Sequence, residues 1–345
     1  MESPRRLYTV LIALAAAAVA GVVLVRQPRH APPVQGKLRI VSLAPNVTEI
    51  LFDLGLGDNI IGVTDACDYP PAARSIPRVS SFGTPNVENL LALAPDLVVS
   101  SGLEKPDVLT ILQQANIRVV NVQPHGFLAS FPELFDAIGA IGKATGRAAE
   151  AQALVTHMQA ELDAVAARLG RIEESRRPRV FIEMEENPLM TAGAGSFLDD
   201  LVARAGGRNV AHEIQDAYPR INSERVIVWN PEVILVAHSN APGEAAQRLA
   251  DRIGWSQVAA VRERRIIDDI NPDLLYRPGP RLVEGVKQLA ERLHPLAGRL
   301  HPQTRSHADQ QTRSHADQQT RSHADQQTRS HAPRGNVPDG RSASS

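Results

Sequence analysis

One motif occurs twice in this sequence, and the duplication constrains the fold more than any other feature. Residues 88–99 contain a glutamate, a short apolar stretch, a proline, an acidic residue and an aliphatic run, and residues 224–235 repeat this order. The pattern is typical of a short helix that ends before a proline and is followed by a buried parallel strand. The spacing between the copies far exceeds the ~20 to 50 residues of stacked repeats. We therefore expect two homologous lobes with a cleft between them.

Strand and helix patterns alternate on both sides of one long predicted helix. In the first half, strands are predicted at residues 38–43, 60–64, 97–100 and 117–122, with helices at 46–54, 108–115 and 131–141. In the second half, strands are predicted at residues 180–184, 233–237 and 265–268, with helices at 197–205, 244–252 and 280–293. This alternation is typical of parallel sheets covered by helices. We predict the α/β class, with two Rossmann-like lobes.

A long helix is predicted between the lobes. Residues 147–175 contain no proline and are rich in Ala, Leu, Glu and Gln, which indicates a helix of roughly 40 Å. Its apolar residues recur at steps of three and four, which indicates one buried face: Ala151, Leu154, Met158, Leu162, Val165 and Leu169. A single rigid connection would allow little closure around a ligand. The predicted domains are a leader and linker at 1–37, a lobe at 38–146, the bridging helix at 147–175, a lobe at 176–294 and a tail at 295–345.

The charge balance argues against one large class of function. The chain has 37 basic and 38 acidic residues and a formal net charge of -1, which gives no electrostatic basis for nucleic-acid binding. The aromatic share of 4% is low for a large flat interface. We expect a small-molecule or protein partner and a monomeric chain. Cys67 is the only cysteine, so no intrachain disulfide can form.

The N-terminal segment predicts export from the cytoplasm. Arg5 and Arg6 precede an uncharged apolar stretch at residues 7–25, which as a helix would extend roughly 28 Å and barely span a bilayer. Small residues at 18–20 fit a signal-peptidase site, so cleavage and retention as a membrane anchor both remain open. A buried core helix is disfavoured because residues 26–36, with three prolines, have the composition of a linker. Either form places the two lobes outside the cytoplasm, in the periplasm.

The C-terminal tail repeats the octad Thr-Arg-Ser-His-Ala-Asp-Gln-Gln from Thr304 onward. The octad contains no large apolar residue, so the tail cannot bury enough surface to offset its chain entropy and should be disordered. Its histidines could suggest a metal-binding tract, but a flexible chain with this spacing gives little preorganisation.

Several segments together resemble the periplasmic binding proteins for vitamin B12 and iron siderophores, and most closely the cobalamin-binding branch. The resemblance covers residues 38–294. It is carried by the residues at 39–46, Thr48-Glu49, Gly62-Val63, Asp68-Tyr69-Pro70-Pro71, Asn86-Val87-Glu88 and 95–98. It implies two α/β lobes bridged by one backbone helix, a ligand held between them, and delivery of that ligand to an ABC importer in the inner membrane.

The resemblance also assigns the duplicated glutamates. In the family, one glutamate on each lobe docks onto arginines of the transporter, and Glu88 and Glu224 match those positions. One carboxylate on each lobe would fix the register on a two-fold symmetric permease. The alternative is that each glutamate only stabilises the N-terminal end of its own helix, by about 0.3–1 kcal/mol.

At the positions that line the ligand cleft in the family, this sequence has some matching residues and some of another type. The family lines its cleft with aromatic residues, and Phe82 and Tyr218 fall at matching positions, as does the acidic Asp273. Smaller or flexible residues stand where other aromatics are expected, namely Ala66, Ser101 and Met184. These six residues are the predicted cleft positions that the resemblance supplies.

Two histidines and the cysteine are further candidates for ligand contact. His125 and His238 each follow a predicted strand, and open α/β sheets bind ligands at the carboxyl ends of their strands. Either imidazole could coordinate the metal of a corrinoid or haem, or could simply lie in an exposed loop. Cys67 could be a soft ligand or an inert packed side chain.

The leading hypothesis is a solute-binding protein that captures cobalamin or a related corrinoid, with no enzymatic activity, no resident cofactor and no protein-bound metal. Haem or an iron siderophore is the alternative within the same fold, and Arg220 or Arg277 could bind an anionic chelate. An enzyme that handles tetrapyrrole metals is an alternative of another class, although the common catalytic motifs are absent from the sequence. A zinc or manganese binder would need clustered ligands, which His157 and His294 do not suggest.

Overall fold

The computed structural model describes residues 37–123, 128–170, 172–239 and 242–295. Within these ranges no helix combines the length and apolarity that a membrane crossing requires. The predicted leader, the octad tail and His125 lie outside the described residues.

The first lobe is built on a five-stranded parallel sheet. Its strands run in the order β3-β2-β1-β4-β5. They are β1 (Ile40–Ser42), β2 (Ile60–Thr64), β3 (Arg78–Ser80), β4 (Leu97–Ser100) and β5 (Arg118–Asn121). Its helices are α1 (Pro45–Asp53), α2 (Val87–Ala92), α3 (Pro106–Gln114) and α4 (Phe131–Thr145). The strand order reverses between β1 and β4, and ligands of open α/β sheets bind at such a reversal.

The second lobe has a four-stranded parallel sheet and a small antiparallel hairpin. The sheet has the order β11-β10-β6-β9 and contains β6 (Arg179–Glu183), β9 (Arg208–Asn209), β10 (Val233–Val236) and β11 (Ile266–Ile267). The hairpin pairs β7 (Glu185–Glu186) with β8 (Leu189–Met190). The helices are α6 (Phe197–Arg204), α7 (Ser223–Trp229), α8 (Glu244–Ala250), α9 (Ala259–Arg262), α10 (Asp273–Tyr276) and α11 (Leu282–Leu293). The predicted α/β architecture is confirmed.

The helix that connects the two lobes, α5 (Ala148–Leu169), is shorter than predicted: it ends at Leu169, and the prediction extended it to Ser175. Gly170 follows the last turn, where its poor helix propensity favours termination. The predicted apolar stripe is buried, apart from Leu154, which is partly buried against the same core. That core continues from β1 through α5 to α11, so the helix packs against apolar residues of both lobes.

The two copies of the sequence motif fold in the same way. Asn86 and Asn222 are the N-cap residues of α2 and α7, and each side-chain oxygen accepts a backbone N–H three residues later at 3.0 Å. After each helix the residue before the proline, Ala94 or Asn230, has a φ of 44°. The cap at one end and the left-handed residue at the other therefore occupy equivalent positions in both copies, although α7 is one residue longer than α2.

Each copy is also tied to the first strand of its lobe. The Arg39 backbone N–H donates to Asp96 at 2.9 Å, and the Arg179 backbone N–H donates to Glu232 at 2.8 Å. The Arg39 guanidinium also donates to the Leu93 carbonyl oxygen at the end of α2, and the Arg179 guanidinium donates to the Trp229 carbonyl oxygen at the end of α7. Repetition of these contacts supports an internal duplication, since independent lobes would have no reason to share them.

Two glycines of α4 give a matched test of the packing against α5. A methyl group on Gly142 would overlap the Ala151 side chain, whereas one on Gly139 would meet nothing within 4 Å. We expect Gly139→Ala to raise the free energy of unfolding by about 0.4–1 kcal/mol, because alanine restricts the unfolded chain. Gly142→Ala should lower it by about 1–3 kcal/mol through overpacking. Urea denaturation measures both, and stabilisation by Gly142→Ala would contradict the close helix contact.

Candidate functional site

A cavity of about 340 Å³ lies where the strand order of the first sheet reverses. Pro45 and Asn46, which follow β1, and Ser101, which follows β4, form one side of it. The opposite side comes from the second lobe, through Tyr218 and residues 275–278. Loops of both lobes thus enclose a single space, as the duplicated sequence motif predicts.

Aromatic rings from both lobes line this cavity. Phe82 belongs to the first lobe, and Phe197, Tyr218 and Tyr276 belong to the second. The Phe82 backbone N–H donates to Asp65 at 3.0 Å, which fixes the loop that carries the ring, and this hydrogen bond lowers the pKa of the Asp65 carboxyl. Phe82 is 41% exposed, so part of its ring remains accessible at the cavity.

The two cavity tyrosines have protonated hydroxyl groups at neutral pH. The Tyr276 hydroxyl donates to the Met184 carbonyl oxygen at 3.2 Å. Burial raises the pKa of Tyr276, and the nearby Glu185 carboxylate adds to that shift. Burial also raises the pKa of Tyr218. Both phenols therefore act as hydrogen-bonding groups on apolar rings and carry no negative charge.

Four of the predicted cleft residues line the cavity together, namely Phe82, Tyr218, Ala66 and Ser101. Asp273 and Met184 lie outside the lining. Asp273 binds Arg277, which is itself a lining residue, and the Met184 side chain packs partly buried against the main core.

His238 is placed at a separate polar cluster in the second lobe. Its Nε2 lies 3.1 Å from an oxygen of the fully buried Glu183, which also binds Arg252 at 2.5 Å and Arg248 at 3.1 Å. Glu183 is the last residue of β6, so this cluster lies at the carboxyl end of that strand, and His238 is not among the residues that line the cavity. Cys67 is fully buried in the core with its Sγ 3.2 Å from Thr64 Oγ1, which makes it a packed side chain.

A buried ion pair joins the lobes beside the cavity. Glu49 on α1 is 2–3% exposed, and its two carboxylate oxygens accept hydrogen bonds from Arg281 at 2.6 and 2.9 Å. Arg277 also approaches Glu49, with an N···O distance of 3.7 Å. Burial raises the pKa of the Glu49 carboxyl, and the two arginines oppose that shift.

Two exposed contacts extend this cross-lobe group toward solvent. Arg277 binds Asp68 of the first lobe at 2.5 Å, and its hydrogen bond lowers the pKa of the Asp68 carboxyl. The Arg281 guanidinium lies 3.8 Å from the ring centre of Tyr69, within the range of a cation–π contact. None of these five residues was among the predicted cleft positions. Arg277 was suggested only as a group that could bind an anionic chelate, and Glu49, Asp68 and Tyr69 only as part of the motifs that carry the family resemblance.

The most important cavity residue that sequence reasoning missed is Tyr276. The chain has only 4 tyrosines, and two of them line the cavity. The rarity of aromatic residues in the sequence could have marked Tyr276 as a candidate cleft residue. Among the described residues, no group of three or more His, Cys, Asp or Glu side chains could hold a metal ion.

Glu88 and Glu224 occupy equivalent exposed positions. Each lies in the first helical turn after an asparagine N-cap, in α2 and α7 respectively. Within the described part of the chain, neither carboxylate takes part in an ion pair.

The two lobes, the bridging helix and the cavity between them define a ligand-binding protein of the periplasmic type. The chain belongs to the periplasmic binding protein family, whose model matches residues 40–271. It is 34% identical over 261 residues to an uncharacterised ABC transporter substrate-binding lipoprotein, YvrC of Bacillus subtilis, covering 74% of this chain and 80% of that one. It is 29% identical over 258 residues to the vitamin B12-binding protein of Vibrio cholerae, covering 74% and 88%.

Solved structures show the same fold. The periplasmic vitamin B12-binding protein of Vibrio cholerae superimposes with a TM-score of 0.64 at 28% identity, covering 76% of this chain and 98% of that one. The periplasmic haem-binding protein of Roseiflexus gives a TM-score of 0.65 at 26% identity, covering 76% and 100%.

The Glu49–Arg281 pair can be tested against a surface pair of the same residue types. Glu49→Gln should lower the free energy of unfolding by about 3 kcal/mol, because the largely buried Arg281 then loses the carboxylate that accepts both of its hydrogen bonds. Glu173→Gln, which removes the exposed partner of Arg176, should cost less than about 0.5 kcal/mol. Guanidinium denaturation of both variants measures this difference. Equal costs would contradict a structural role for the cross-lobe pair.

Proposed function

We propose that the protein captures cobalamin or a related corrinoid in this cavity and delivers it to an ABC importer in the inner membrane. The observation that carries the proposal is the set of aromatic rings that both lobes contribute to one cavity. Aromatic rings provide flat apolar surface for a macrocycle, with a few polar groups to orient it. The relatives named as vitamin B12-binding proteins support the same ligand. The lobes would lie in the periplasm, either free after cleavage or anchored by residues 7–25.

Capture is non-covalent and needs little movement of the lobes. The bridging helix packs against both cores, and the Glu49–Arg281 pair links the lobes beside the cavity. A preformed cavity avoids part of the ordering cost of binding. The macrocycle would enter between Phe82 on one lobe and Tyr218 and Tyr276 on the other.

Calorimetric titration of the full-length chain with cobalamin and cobinamide tests the ligand. We expect saturable binding of at least one corrinoid at micromolar concentration, and a loss of about tenfold or more in affinity for Phe82→Ala, since 1.4 kcal/mol of contact corresponds to tenfold. Leu91→Ala is the matched control, because Leu91 is 39% exposed and lies outside the cavity lining. Absence of binding to both corrinoids would refute the proposed ligand.

Haem is a second candidate, because two tyrosine hydroxyl groups lie at the cavity and tyrosine can be an axial ligand of haem iron. The raised pKa values of both phenols work against this, since the ligand form is the phenolate. Haemin titration followed by absorbance separates the two cases. A coordinated spectrum that Tyr276→Phe or Tyr218→Phe abolishes, with tighter binding than either corrinoid, would favour haem.

We further propose that Glu88 and Glu224 contact the importer. Both carboxylates are exposed, lie at equivalent positions of homologous lobes and have no ion-pair partner in the described ranges. Paired point charges of this kind complement a permease with two-fold symmetry and basic docking residues.

Charge reversal distinguishes docking from stabilisation of a helix end. Glu88→Lys combined with Glu224→Lys should abolish uptake of labelled cobalamin by cells while leaving calorimetric affinity within about threefold, which is less than 1 kcal/mol. Glu244→Lys is the control, because Glu244 is also exposed in the first turn of its helix and should lose only the helix-dipole contribution. Parallel loss of binding and uptake, or equal loss for Glu244→Lys, would assign the pair a structural role.

A further inference from the structure

Among the described residues, Ile253 is the most exposed large apolar side chain, with 96% of its surface accessible. Single exposed apolar residues are common on protein surfaces and need no explanation by themselves. Ile253 differs because its neighbours are anchored. The Arg252 guanidinium binds the buried Glu183 at 2.5 Å and lies 4.6 Å from the ring centre of Trp255, which is fully buried. The isoleucine is therefore held outward in one place, which lowers the ordering cost of binding a partner.

The turn that carries Ile253 packs against the motif helix α7. The Trp255 indole N–H donates to Ser223 Oγ at 2.5 Å, and a methyl group on Gly254 would lie 2.7 Å from Ile227 Cδ1. Gly254 has a φ of 80°, a conformation that glycine adopts without strain. Because Ser223 and Ile227 are one helical turn apart, the turn covers one side of α7 along most of its length.

The docking candidate Glu224 lies on the adjacent, solvent-facing side of the same helix. Val228 is one helical turn further along this side and is 80% exposed. The opposite side of α7 is buried through Val226 and Trp229. At 3.6 residues per turn, Glu224 therefore stands between Val228 and the side that the turn of Ile253 covers.

The first lobe has no counterpart of this turn. Strands β5 and β11 hold equivalent places, each paired with the strand that follows the motif helix. Residues 115–117 connect α3 to β5, whereas the longer segment 251–265 connects α8 to β11 and contains Ile253. On α2, Ala92 stands where α7 has Val228. The exposed aliphatic surface beside the glutamate is therefore larger on the second lobe.

We infer that Val228 and Ile253 form an apolar anchor that contacts the importer permease beside Glu224. The second lobe then docks through apolar contact and charge, and the first lobe docks mainly through charge. This inference rests on the proposed docking and gives the two lobes different roles at a permease of two-fold symmetry. The permease surface that fits is an apolar depression bordered by basic side chains.

Area and charge favour the permease over a second copy of this chain or a lipid surface. A stable interface buries about 800 Å² on each partner, far more than two aliphatic side chains provide. The anchor therefore needs a larger contact around it, which docking through both motif helices would supply. Two copies that met at this patch would bring their Glu224 carboxylates together, and anionic lipid headgroups would repel the same carboxylate.

Photo-crosslinking in the native host tests which surface covers the anchor. The photoreactive amino acid benzoylphenylalanine is placed at position 253 of the full-length chain, and crosslinked partners are identified by mass spectrometry. We expect a crosslink to the permease subunit of an ABC importer. Position 159 is the control, because Gln159 is exposed on α5 and belongs to neither motif helix. The same amino acid placed there should give no such crosslink.

Uptake measures what the anchor contributes. Val228→Ser combined with Ile253→Ser should lower the rate of uptake of labelled cobalamin by about fivefold or more. Calorimetric affinity for cobalamin should change by less than about threefold, because both residues lie outside the cavity lining. Ile111→Ser is the matched control, since Ile111 is 41% exposed on α3, and it should leave uptake unchanged. Thermal melting establishes that the variants are folded.

A crosslink from position 253 to a second copy of the chain or to lipid alone, or no crosslink, would overturn the inference. Unchanged uptake in the double serine variant, or an equal loss in Ile111→Ser, would also overturn it. The proposed function fails separately. Absence of calorimetric binding to cobalamin and cobinamide would refute the ligand, and normal uptake after charge reversal at Glu88 and Glu224 would refute docking through the glutamates. In both cases the crosslink still decides the anchor.

Discussion

The contact between Glu49 and Arg281 determines how the two halves of the cavity are placed. A carboxylate on the first helix of one lobe is buried against a guanidinium that precedes the last helix of the other, with both oxygens bonded. Burial of such a pair adds little net stability, because desolvation offsets much of the attraction, but loss of one partner is costly. The pair therefore acts mainly on geometry: it favours one relative position of the lobes, in which Phe82 and Tyr276 line the same space.

The lobes share their scaffold and differ where they meet the ligand. Both contain the capped motif helix, the left-handed residue before a proline and the acidic tie to the first strand. At the carboxyl ends of the central strands this equivalence ends. In the first lobe that edge is open and forms the cavity wall, whereas in the second lobe Glu183 and its arginines fill the edge. The second lobe instead supplies cavity residues from loops, from α6 and from α10, so the duplicated scaffold carries an asymmetric site.

Local patterns in the sequence predict the scaffold better than the site. The aliphatic runs at β2 and β4 have the predicted bounds, because buried parallel strands require apolar residues on both faces. Strand β3 was missed because it has three residues, two of them polar, and pairs through its backbone. Phe82 and Tyr218 were predicted as cleft residues from the family resemblance, because a match to a family carries information on three-dimensional position that a local pattern lacks. The Glu49–Arg281 bond joins residues 232 positions apart, and no local period or motif reports such a contact.

Acidic residues are paired with arginines beside the cavity but have no ion-pair partner among the described residues on the two motif helices. Beside the cavity, Glu49, Asp68 and Asp273 are all bonded to arginines, so their negative charge is paired within the protein. On the motif helices, Glu88 and Glu224 are exposed and without ion-pair partners among the described residues, so their charge remains available at long range to a basic partner. If Glu88 and Glu224 dock as proposed, this separation has a use, because unpaired carboxylates at the cavity would compete for the same basic groups. Under the proposed function, pairing at the cavity would therefore leave the two exposed glutamates as the carboxylates available to the importer.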